Sequence, residues 1–412
     1  MENQVKINGE IISEHLKTPV AGEYDVVVCG GGVAGVASAL ASSRAGAKTL
    51  LIEKSFMLGG LATAGLVTIY LPICDGKGKQ VCFSIAEELL KLSIKYGEEF
   101  SRVQGIDIGA WTCDNPTEEI LERRKNSRYQ VQFNHNVFAI LCERLLLDEG
   151  VKILYGTSLC SAVSKDNILN AIVCENKNGR IGIKAKSFID ATGDADLCYY
   201  AGEKTEVYER GNVLASWYYE HLKDELFLNM LGYCEDPFSP VSETKNADNR
   251  YIGVDSEEIT SFMTNGRASI LRSFLRGGNI TKDRSIATIS TQPQLRMTRK
   301  LVGLYEIDES EEGKEFYDSV GLFPNWKKSG PIYEMPLRAL RGEKFENLFA
   351  CGRCLSVSQT TWDVTRVIPV CAVSGEAVGI ASALYSKEGK VDLSKLQERL
   401  KANGVKLHPS EL

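Results

Sequence analysis

The segment from Tyr24 to Lys54 constrains the fold more than any other part of the chain. It reads YDVVVCGGGVAGVASALASSRAGAKTLLIEK. The apolar, largely β-branched run at its start is typical of a strand buried on both faces of a parallel sheet. The small residues from Val33 to Arg44 favour a helix that ends near Gly46, and KTLLIEK predicts a second strand. The segment therefore predicts one strand–helix–strand unit.

Three glycines of this unit, Gly30, Gly32 and Gly35, fit the pattern G-x-G-x-x-G. The first permits a tight turn, the second lets the backbone approach a pyrophosphate, and the third lets the helix pack on the strand. The diphosphate would then lie at the helix N-terminus, beside Val33 and Ala34. Free N–H groups and the helix dipole favour an anion there.

Glu53 ends the second predicted strand, 18 residues after Gly35. A carboxylate at this place can bind the ribose hydroxyls of a dinucleotide, and it would repel a 2′-phosphate. A glycine-rich turn between core elements is the plain alternative for an isolated motif. Here the strand, the helix, the second strand and the terminal acid are all in register, so the unit predicts a bound dinucleotide. It does not by itself separate NAD from FAD.

Composition excludes several classes of partner. The chain has 412 residues, enough for two or three domains, with 43% apolar and 25% charged residues and a formal net charge of -6. It lacks the basic surplus that nucleic acid or an anionic membrane surface would favour. No run approaches the length of a membrane span, and the N-terminus does not look like a signal peptide. Twelve scattered cysteines predict reduced, mostly buried thiols, so we expect a cytoplasmic protein.

Two later blocks complete a predicted α/β domain. Residues 133–198 predict a helix capped by Asn134 and then a small β-meander that includes the turn pair Asn178-Gly179. Residues 347–412 predict a short parallel strand, a helix with Pro369 in its first turn, and a last helix capped by Asp392.

The fold class is therefore α/β, a Rossmann-like domain with a parallel sheet and a small β-meander. The nucleotide-binding domain is predicted to be discontinuous, at 1–71, 131–198 and 341–412. The segments 72–130 and 199–340 are predicted to form an inserted α+β substrate domain.

Several motifs resemble those of the FAD-dependent oxidoreductase family, within the glutathione-reductase-like flavoprotein superfamily. They are SFMLGGLATAG after the second strand, FIDATGDADL in the middle, and LRMTRKLVG, YEMPLRAL and NLFACGRCLS...TRVIPVCAVSGEAVG towards the end. The resemblance runs from about Tyr24 to Val405. A long cofactor such as FAD also needs contacts beyond the first unit, and the glycine-rich points at Gly59, Ala191 and Cys351 suit backbone approach.

The resemblance implies FAD as the cofactor and a set of residues that contact it. We expect the first helix to meet the pyrophosphate, residues 59–63 to follow the flavin side, and the helix after Pro369 to point its positive end at the flavin. The predicted cofactor residues are Gly30, Gly32, Val33, Ala34, Gly35, Glu53, Lys54, Gly59, Gly60, Leu61, Ala62, Thr63, Ala191, Thr192, Gly193, Gly352, Arg353, Pro369 and Val370.

Candidate catalytic residues are fewer, because the flavin itself carries the redox chemistry. Arg366 precedes the flavin-facing helix, and the resemblance places Arg296 and Arg299 near the cofactor. Each arginine could clamp a substrate carboxylate or form an internal ion pair, and the sequence leaves both open. Related sequences often carry a histidine where this chain has Gln359, and glutamine is not an acid or base. Asp363 is the nearest ionisable residue.

The predicted function is an FAD-dependent oxidoreductase that acts on a small organic substrate by hydride transfer at the flavin. A thiazole-synthase-like enzyme and a non-enzymatic flavin-binding protein remain alternatives. The paired cysteines of disulfide reductases are absent after the second strand, and Cys351 and Cys354 are expected to be structural thiols. No metal site is expected from the four scattered histidines. The oligomeric state is left open.

Overall fold

The computed structural model describes residues 15–96, 115–125, 130–232 and 250–412. Within these ranges the chain forms nine α-helices and sixteen strands. The helices are α1 (Val33–Arg44), α2 (Ile85–Ser93), α3 (Glu118–Arg124), α4 (His135–Asp148), α5 (Asp196–Ala201), α6 (Ser256–Arg276), α7 (Gln359–Thr365), α8 (Ile368–Glu388) and α9 (Leu393–Ala402). The first eight strands are β1 (Val20–Cys29), β2 (Thr49–Ile52), β3 (Ile69–Tyr70), β4 (Val131–Gln132), β5 (Lys152–Leu154), β6 (Ser158–Lys165), β7 (Ile168–Asn176) and β8 (Gly179–Asp190). The rest are β9 (Thr205–Val207), β10 (Ser216–Leu222), β11 (Glu225–Leu231), β12 (Arg284–Ile289), β13 (Arg299–Leu301), β14 (Ser319–Pro324), β15 (Ile332–Pro336) and β16 (Leu348–Ala350).

A seven-stranded sheet forms the centre of the fold. Its order is β5-β2-β1-β8-β7-β6, with β16 paired to β8. The pairs of β1 with β2 and β8, of β2 with β5, and of β16 with β8 are parallel, whereas β6, β7 and β8 form an antiparallel meander. The predicted α/β fold class, with a parallel sheet and a small meander, is confirmed.

Strand β8 serves both halves of that sheet. Its first residues pair antiparallel with β7, and its later residues pair parallel with β1 and β16. The strand is 12 residues long, and its last four residues are all buried.

Helices α1 and α8 pack closely against each other because their contact residues are small. A Cβ atom on Gly375 would lie 2.4 Å from the carbonyl oxygen of Ala34, and one on Gly379 would lie 2.5 Å from that of Ser38. Helix α8 is long and apolar enough to cross a bilayer, but 94% of its apolar stretch is buried inside the fold. The helix is a core element.

Smaller sheets cover the edge of the central domain. Strands β11, β10 and β12 form an antiparallel sheet, α6 packs on β10, and β14 pairs with β15. These elements agree with an inserted α+β region. Helix α2 and strands β14 and β15 share the main core cluster with α1 and α8. The domain boundaries stay a prediction, and parts of the predicted insertion (97–114, 126–129 and 233–249) lie outside the described residues.

Candidate functional site

The glycine turn after β1 is pressed against the end of β8. Gly30 has a φ of 105°, and a Cβ atom at this position would lie 2.4 Å from the carbonyl oxygen of Ala191. A Cβ atom on Gly35 would lie 1.8 Å from the carbonyl oxygen of Gly30. Neither position can hold a larger residue without moving the backbone, so both glycines are required by the fold itself.

Gly32 differs from these two glycines because the space beside it is open. It is the residue before α1 and has an extended conformation, and no side chain caps the first turn of the helix. A Cβ atom on Gly32 would have no described atom within 4 Å. Open space at an uncapped helix N-terminus fits the pyrophosphate of a dinucleotide.

Glu53 holds a buried carboxylate beside the same turn. The residue is 5% exposed. Its Oε2 accepts a hydrogen bond of 2.6 Å from the N–H of Gly31, and its Oε1 accepts one of 2.7 Å from the N–H of Ser55. A carboxylate has about four acceptor positions, so further donors such as ribose hydroxyls can be accommodated.

The loop at residues 59–63 lies along the turn. Gly59 forms a parallel bridge with Gly32, and its N–H donates to the carbonyl oxygen of Gly31 at 2.8 Å. Gly59 and Gly60 have φ values of 97° and 55°. The hydroxyl of Thr63 donates to the carbonyl oxygen of Leu58 at 2.5 Å. This loop, which was predicted to follow the flavin side, therefore starts beside the glycine at which the pyrophosphate is predicted to bind.

Gly352 brings two helix N-termini together. It has a φ of 65°, and a Cβ atom here would lie 2.8 Å from the Cβ of Ala34 in the first turn of α1. Its N–H donates to the hydroxyl of Ser374 in α8 at 2.9 Å. The buried residues Pro369 and Val370 form the start of α8. The positive ends of α1 and α8 thus lie on either side of one glycine.

Gly193 lies under the guanidinium group of Arg353. It has a φ of 83°, and a Cβ atom on it would lie 2.6 Å from Nη2 of Arg353. That guanidinium donates to Oδ1 of Asp194 at 3.2 Å and to the carbonyl oxygens of Leu295 and Arg296. The side chain of Arg353 therefore links the central domain to the segment before β13.

The segments that carry the predicted cofactor glycines approach one another closely. Gly30 touches the end of β8, Gly352 touches α1, and Gly193 touches Arg353. Thr192 uses its hydroxyl to bond Oδ1 of Asp190 at 2.7 Å, and Lys54 is exposed. Open space at Gly32, the Glu53 carboxylate and two helix N-termini suit an extended dinucleotide such as FAD. The contact of each residue with FAD stays a prediction.

Two of the three candidate arginines lie in internal ion pairs. Nη2 of Arg299 lies 2.5 Å from Oδ1 of Asp196, and its Nε donates to the carbonyl oxygen of Asp194 at 2.9 Å. Arg366 donates through Nε to Oδ1 of Asp363 at 2.8 Å. These contacts favour the structural alternative that the sequence left open for both arginines.

Asp363 is a fully enclosed acid rather than an accessible one. Burial alone would raise the pKa of its carboxyl, but the charges of Arg366 and Lys327 lower that pKa below its ordinary value. The carboxylate is therefore ionised and paired on both sides. Gln359, at the start of α7, is exposed.

Arg296 is a buried arginine that lies beside an aromatic ring. It is 8% exposed, and its guanidinium carbon lies 5.1 Å from the ring centre of Trp217 on β10. Its backbone N–H donates to Oδ1 of Asn212 at 2.9 Å. A cation over an indole ring at this distance is an attractive contact.

The cysteine pair Cys351 and Cys354 is buried and lacks the features of a redox site. All ten described cysteines are free, and all except Cys160 are buried. Burial raises the pKa of both thiols well above the ordinary value. A reactive cysteine needs a lowered pKa and solvent access, so these two thiols are inert.

Two residues at this edge of the sheet were not predicted. Asp194 accepts from Arg353 and from the hydroxyl of Thr298, and so joins three segments of the chain. His135, the first residue of α4, stacks on Tyr219. The position of Asp194 directly after the glycine of ATGD was a usable signal. For His135, the only signal in the sequence was its position next to the predicted helix cap Asn134.

Comparison with known proteins gives a consistent family. The model of the family described as FAD dependent oxidoreductase matches residues 25–252 and 217–400. A curated thioredoxin reductase of Ureaplasma parvum is 34% identical over 71 residues, which are 17% of this chain and 23% of that protein. The chain thus matches less than a quarter of the length of this relative.

Two solved structures share the general architecture at low identity. A geranylgeranyl bacteriochlorophyll reductase-like protein of Thermoplasma acidophilum is 13% identical, with a TM-score of 0.46 over 92% of this chain and 83% of the other. The p-nitrophenol 4-monooxygenase of Pseudomonas putida is 12% identical, with a TM-score of 0.49 over 92% and 84%. Neither likeness is close enough to bear on the reaction.

Proposed function

This chain belongs to the FAD-dependent oxidoreductase family, and from that premise we propose that it oxidises or reduces a small organic substrate by hydride transfer at the flavin. The protein is an FAD-dependent enzyme, and FAD is its cofactor. When bound, FAD supplies the hydride or electron transfer. The further expectations of a glutathione-reductase-like superfamily and a cytoplasmic location belong to this proposal.

The open position at Gly32 is the observation that supports the proposal most directly. Where Gly30 and Gly35 are glycines because protein atoms crowd them, Gly32 has no described neighbour within 4 Å of a Cβ atom. A position without internal crowding that is held at a helix N-terminus suits a phosphate ligand. Residues of this chain would bind the cofactor by backbone N–H groups there and by the carboxylate of Glu53.

The arrangement gives the ring of the cofactor a defined electrostatic setting. Helix α8 starts beside Gly352 with no side-chain cap. The positive end of a helix stabilises negative charge that develops near it. We infer that α8 performs this task for the flavin, while Arg296 lies on the substrate side as a candidate anion clamp.

The name of the Ureaplasma relative states a disulfide-reductase activity for that protein. The ten cysteines that the structure describes in this chain give no support for such an activity. The C-x-x-C pair at Cys351 and Cys354 is buried and its thiols have raised pKa values. The substrate is therefore proposed to be an organic molecule that reacts directly at the flavin.

Anaerobic reduction of the purified protein tests the proposal. We expect a yellow protein whose visible flavin absorbance is bleached by one member of a panel of small alcohols, amines, acids and phenols, with dithionite as the positive control. A flavin that dithionite bleaches but no organic compound does would indicate a non-enzymatic flavin-binding protein. A colourless protein that releases a nicotinamide nucleotide on denaturation would contradict the proposal and favour a thiazole-synthase-like enzyme.

A further inference from the structure

A cleft lies at the opposite end of α1 from the glycine turn. It has a volume of about 500 Å³ and is bounded by the end of α1, the start of α2, the middle of α8 and the end of α9. This volume lies within the range of about 300–1000 Å³ that is usual for small-molecule sites. Gly32 precedes α1 and Arg44 ends it, so the 12 residues of the helix place the cleft about 18 Å from the predicted pyrophosphate position. The cleft is therefore separate from the predicted cofactor site.

The cleft is lined by a buried carboxyl group, that of Glu376 on α8, which is 2% exposed. Its Oε1 accepts hydrogen bonds from Oγ of Ser84 at 2.7 Å and from Nδ2 of Asn403 at 3.2 Å. Its Oε2 accepts one from the backbone N–H of Ile85 at 3.2 Å. These bonds join the start of α2 and the end of α9 to α8, so the fold itself fixes the position of the carboxyl group.

All three donors to Glu376 are neutral, although a buried carboxylate is normally paired with a cation. The residue forms no ion pair with any residue that the structure describes. Burial raises the pKa of its carboxyl group and the charge of Glu88 also raises it, whereas the three hydrogen bonds lower it. A positive group brought in by a ligand would stabilise the ionised carboxylate.

Two arginines line the same cleft, and they differ in their partners. Nη1 of Arg44 lies 2.7 Å from Oε2 of Glu88, and its Nη2 lies 2.8 Å from Oε1 of Glu149. Arg399 on α9 is exposed, and its guanidinium has no hydrogen bond or ion pair with the part of the chain that the structure describes. The cleft therefore combines a cation without a counter-ion and a buried carboxyl group without one.

These two unpaired groups lie close enough together for one small molecule to reach both. Arg399 and Asn403 are four residues apart, which places them on the same face of a helix, about 6 Å apart along its axis. Asn403 in turn bonds Glu376. The cleft also has an apolar wall that includes Ile85 and Ile380. A ligand with a negative group, a positive group and an apolar part matches these three features.

We propose that this cleft is a second ligand site, which binds an amino acid with an aliphatic side chain in its zwitterionic form. The carboxylate binds the guanidinium of Arg399, whose planar donors suit a carboxylate. The ammonium group donates to Glu376, and the side chain packs on Ile85 and Ile380. No bond is made or broken in this site, and the proposal does not depend on the reaction at the flavin.

Isothermal titration calorimetry of the FAD-loaded protein with leucine tests the proposal. Two analogues serve as references: isocaproate is leucine without its ammonium group, and isoamylamine is leucine without its carboxylate. We expect leucine to bind at one saturable site. Each analogue should bind about tenfold more weakly or worse, which is the loss expected for one hydrogen bond between charged groups.

Arg399→Gln removes the positive charge from the cleft. We expect its dissociation constant for leucine to rise about tenfold or more. Lys401→Gln is the matched control, because it removes a positive charge from the same helix and leaves every residue of the cleft unchanged. This control should bind leucine like the wild type. Circular dichroism and retained flavin absorbance show that each variant is folded.

A leucine titration without saturable binding would overturn the proposal. So would an isocaproate affinity equal to that of leucine, or an unchanged leucine affinity in a folded Arg399→Gln variant. In the last case, a change in flavin absorbance on adding leucine would place the amino acid at the flavin instead. If the variant does not fold, the comparison of leucine with its two analogues decides. A flavin that no organic compound bleaches would contradict the proposed function and has no bearing on this cleft.

Discussion

Gly32 and Gly35 are three residues apart and are glycines for different reasons. A side chain at Gly35 would collide with the carbonyl oxygen of Gly30, whereas a Cβ atom at Gly32 would have no atom of the described residues within 4 Å. The first constraint comes from the packing of α1 on β1, and we expect the second to come from the bound cofactor. A substitution at each position should therefore affect a different property of the protein.

Gly32→Ala should leave the protein folded and weaken FAD binding. The added methyl group would occupy the space of the pyrophosphate, and an overpacked contact of about 1–3 kcal/mol corresponds to a loss of affinity of about tenfold or more. Flavin fluorescence titration measures the affinity, and circular dichroism measures the fold. Gly35→Ala is the contrasting variant, because it should lower the free energy of unfolding even without FAD. Unchanged FAD affinity in Gly32→Ala would show that the pyrophosphate lies elsewhere.

Glu53→Gln should also weaken FAD binding. The carboxylate already accepts from the N–H groups of Gly31 and Ser55, and we expect it to accept from a ribose hydroxyl in addition. Hydrogen bonds to a charged acceptor contribute about 1.5–3 kcal/mol, so the dissociation constant should rise about tenfold to a hundredfold. Glu23→Gln, on the exposed part of β1, should bind FAD like the wild type. Equal affinities for both variants would contradict the assignment of Glu53.

At the residue scale the sequence predicted positions that depend on local geometry. The glycine turn and Glu53 are recognisable because strand, helix and spacing lie within one short unit. The sequence did not predict the partners of Arg299 and Arg353, because each partner is set by how distant segments meet. Arg353 is expected at the cofactor, and its guanidinium also bonds Asp194 and two carbonyl oxygens.

At the scale of elements, the contact between α1 and α8 positions both helix N-termini at the site. Gly375 and Gly379 of α8 make this contact possible, because a Cβ atom on either residue would meet a carbonyl oxygen of α1. The hydroxyl of Ser42 on α1 also donates to the carbonyl oxygen of Gly379 at 3.1 Å. Strand β8 was harder to predict, since a strand that changes partners along its length has no single hydrophobic period.

Gly379→Ala should lower the free energy of unfolding by about 1–3 kcal/mol, because the new Cβ atom would meet the backbone of α1 and force the helices apart. Urea denaturation monitored by circular dichroism measures the change. Gly182→Ala in β8 is the control, since its Cβ atom would lie 3.6 Å from the carbonyl oxygen of Pro19, which is an ordinary van der Waals contact. The control should be neutral or slightly stabilising, because alanine loses less conformational freedom on folding than glycine does. A Gly379→Ala variant as stable as the control would show that α1 and α8 tolerate a wider separation.

At the scale of the whole molecule, a group of charged residues joins the central domain to the inserted segments. Asp194 contacts Arg353 and Thr298, and Asp196 contacts Arg299. This junction lies beside the predicted cofactor residues Thr192 and Gly193, so the two parts of the molecule meet where the cofactor is expected. Because the junction combines residues from three distant segments, only the folded chain reveals it.

The carboxyl of Asp196 gives this junction a pH dependence. Burial raises its pKa, and the charges of Asp194 and Asp190 raise it further to about 6, against an ordinary value of 3.8, despite the nearby Arg299. A raised pKa in the folded state means that the folded protein binds the proton more tightly than the unfolded chain does. The contribution of Asp196 to stability is therefore fully present below pH 3.8 and is lost as the pH rises through about 6.

Asp196→Asn should remove this dependence. Between about pH 5 and about pH 8, the free energy of unfolding of the wild type should fall relative to that of the variant. The reason is that only the wild type loses the Asp196 proton, which the folded state binds more tightly than the unfolded state does. Urea denaturation at several pH values measures the difference. Asp25→Asn is the control: the Asp25 carboxyl is buried to some degree, but its hydrogen bonds with Lys186 and Lys48 give it a lowered pKa. The contribution of Asp25 to the free energy of unfolding is therefore already constant above about pH 5. The plot of unfolding free energy against pH for Asp25→Asn should stay parallel to the plot for the wild type. If the Asp196→Asn curve is also parallel, Arg299 holds the Asp196 carboxylate ionised throughout, and the junction is a plain ion pair.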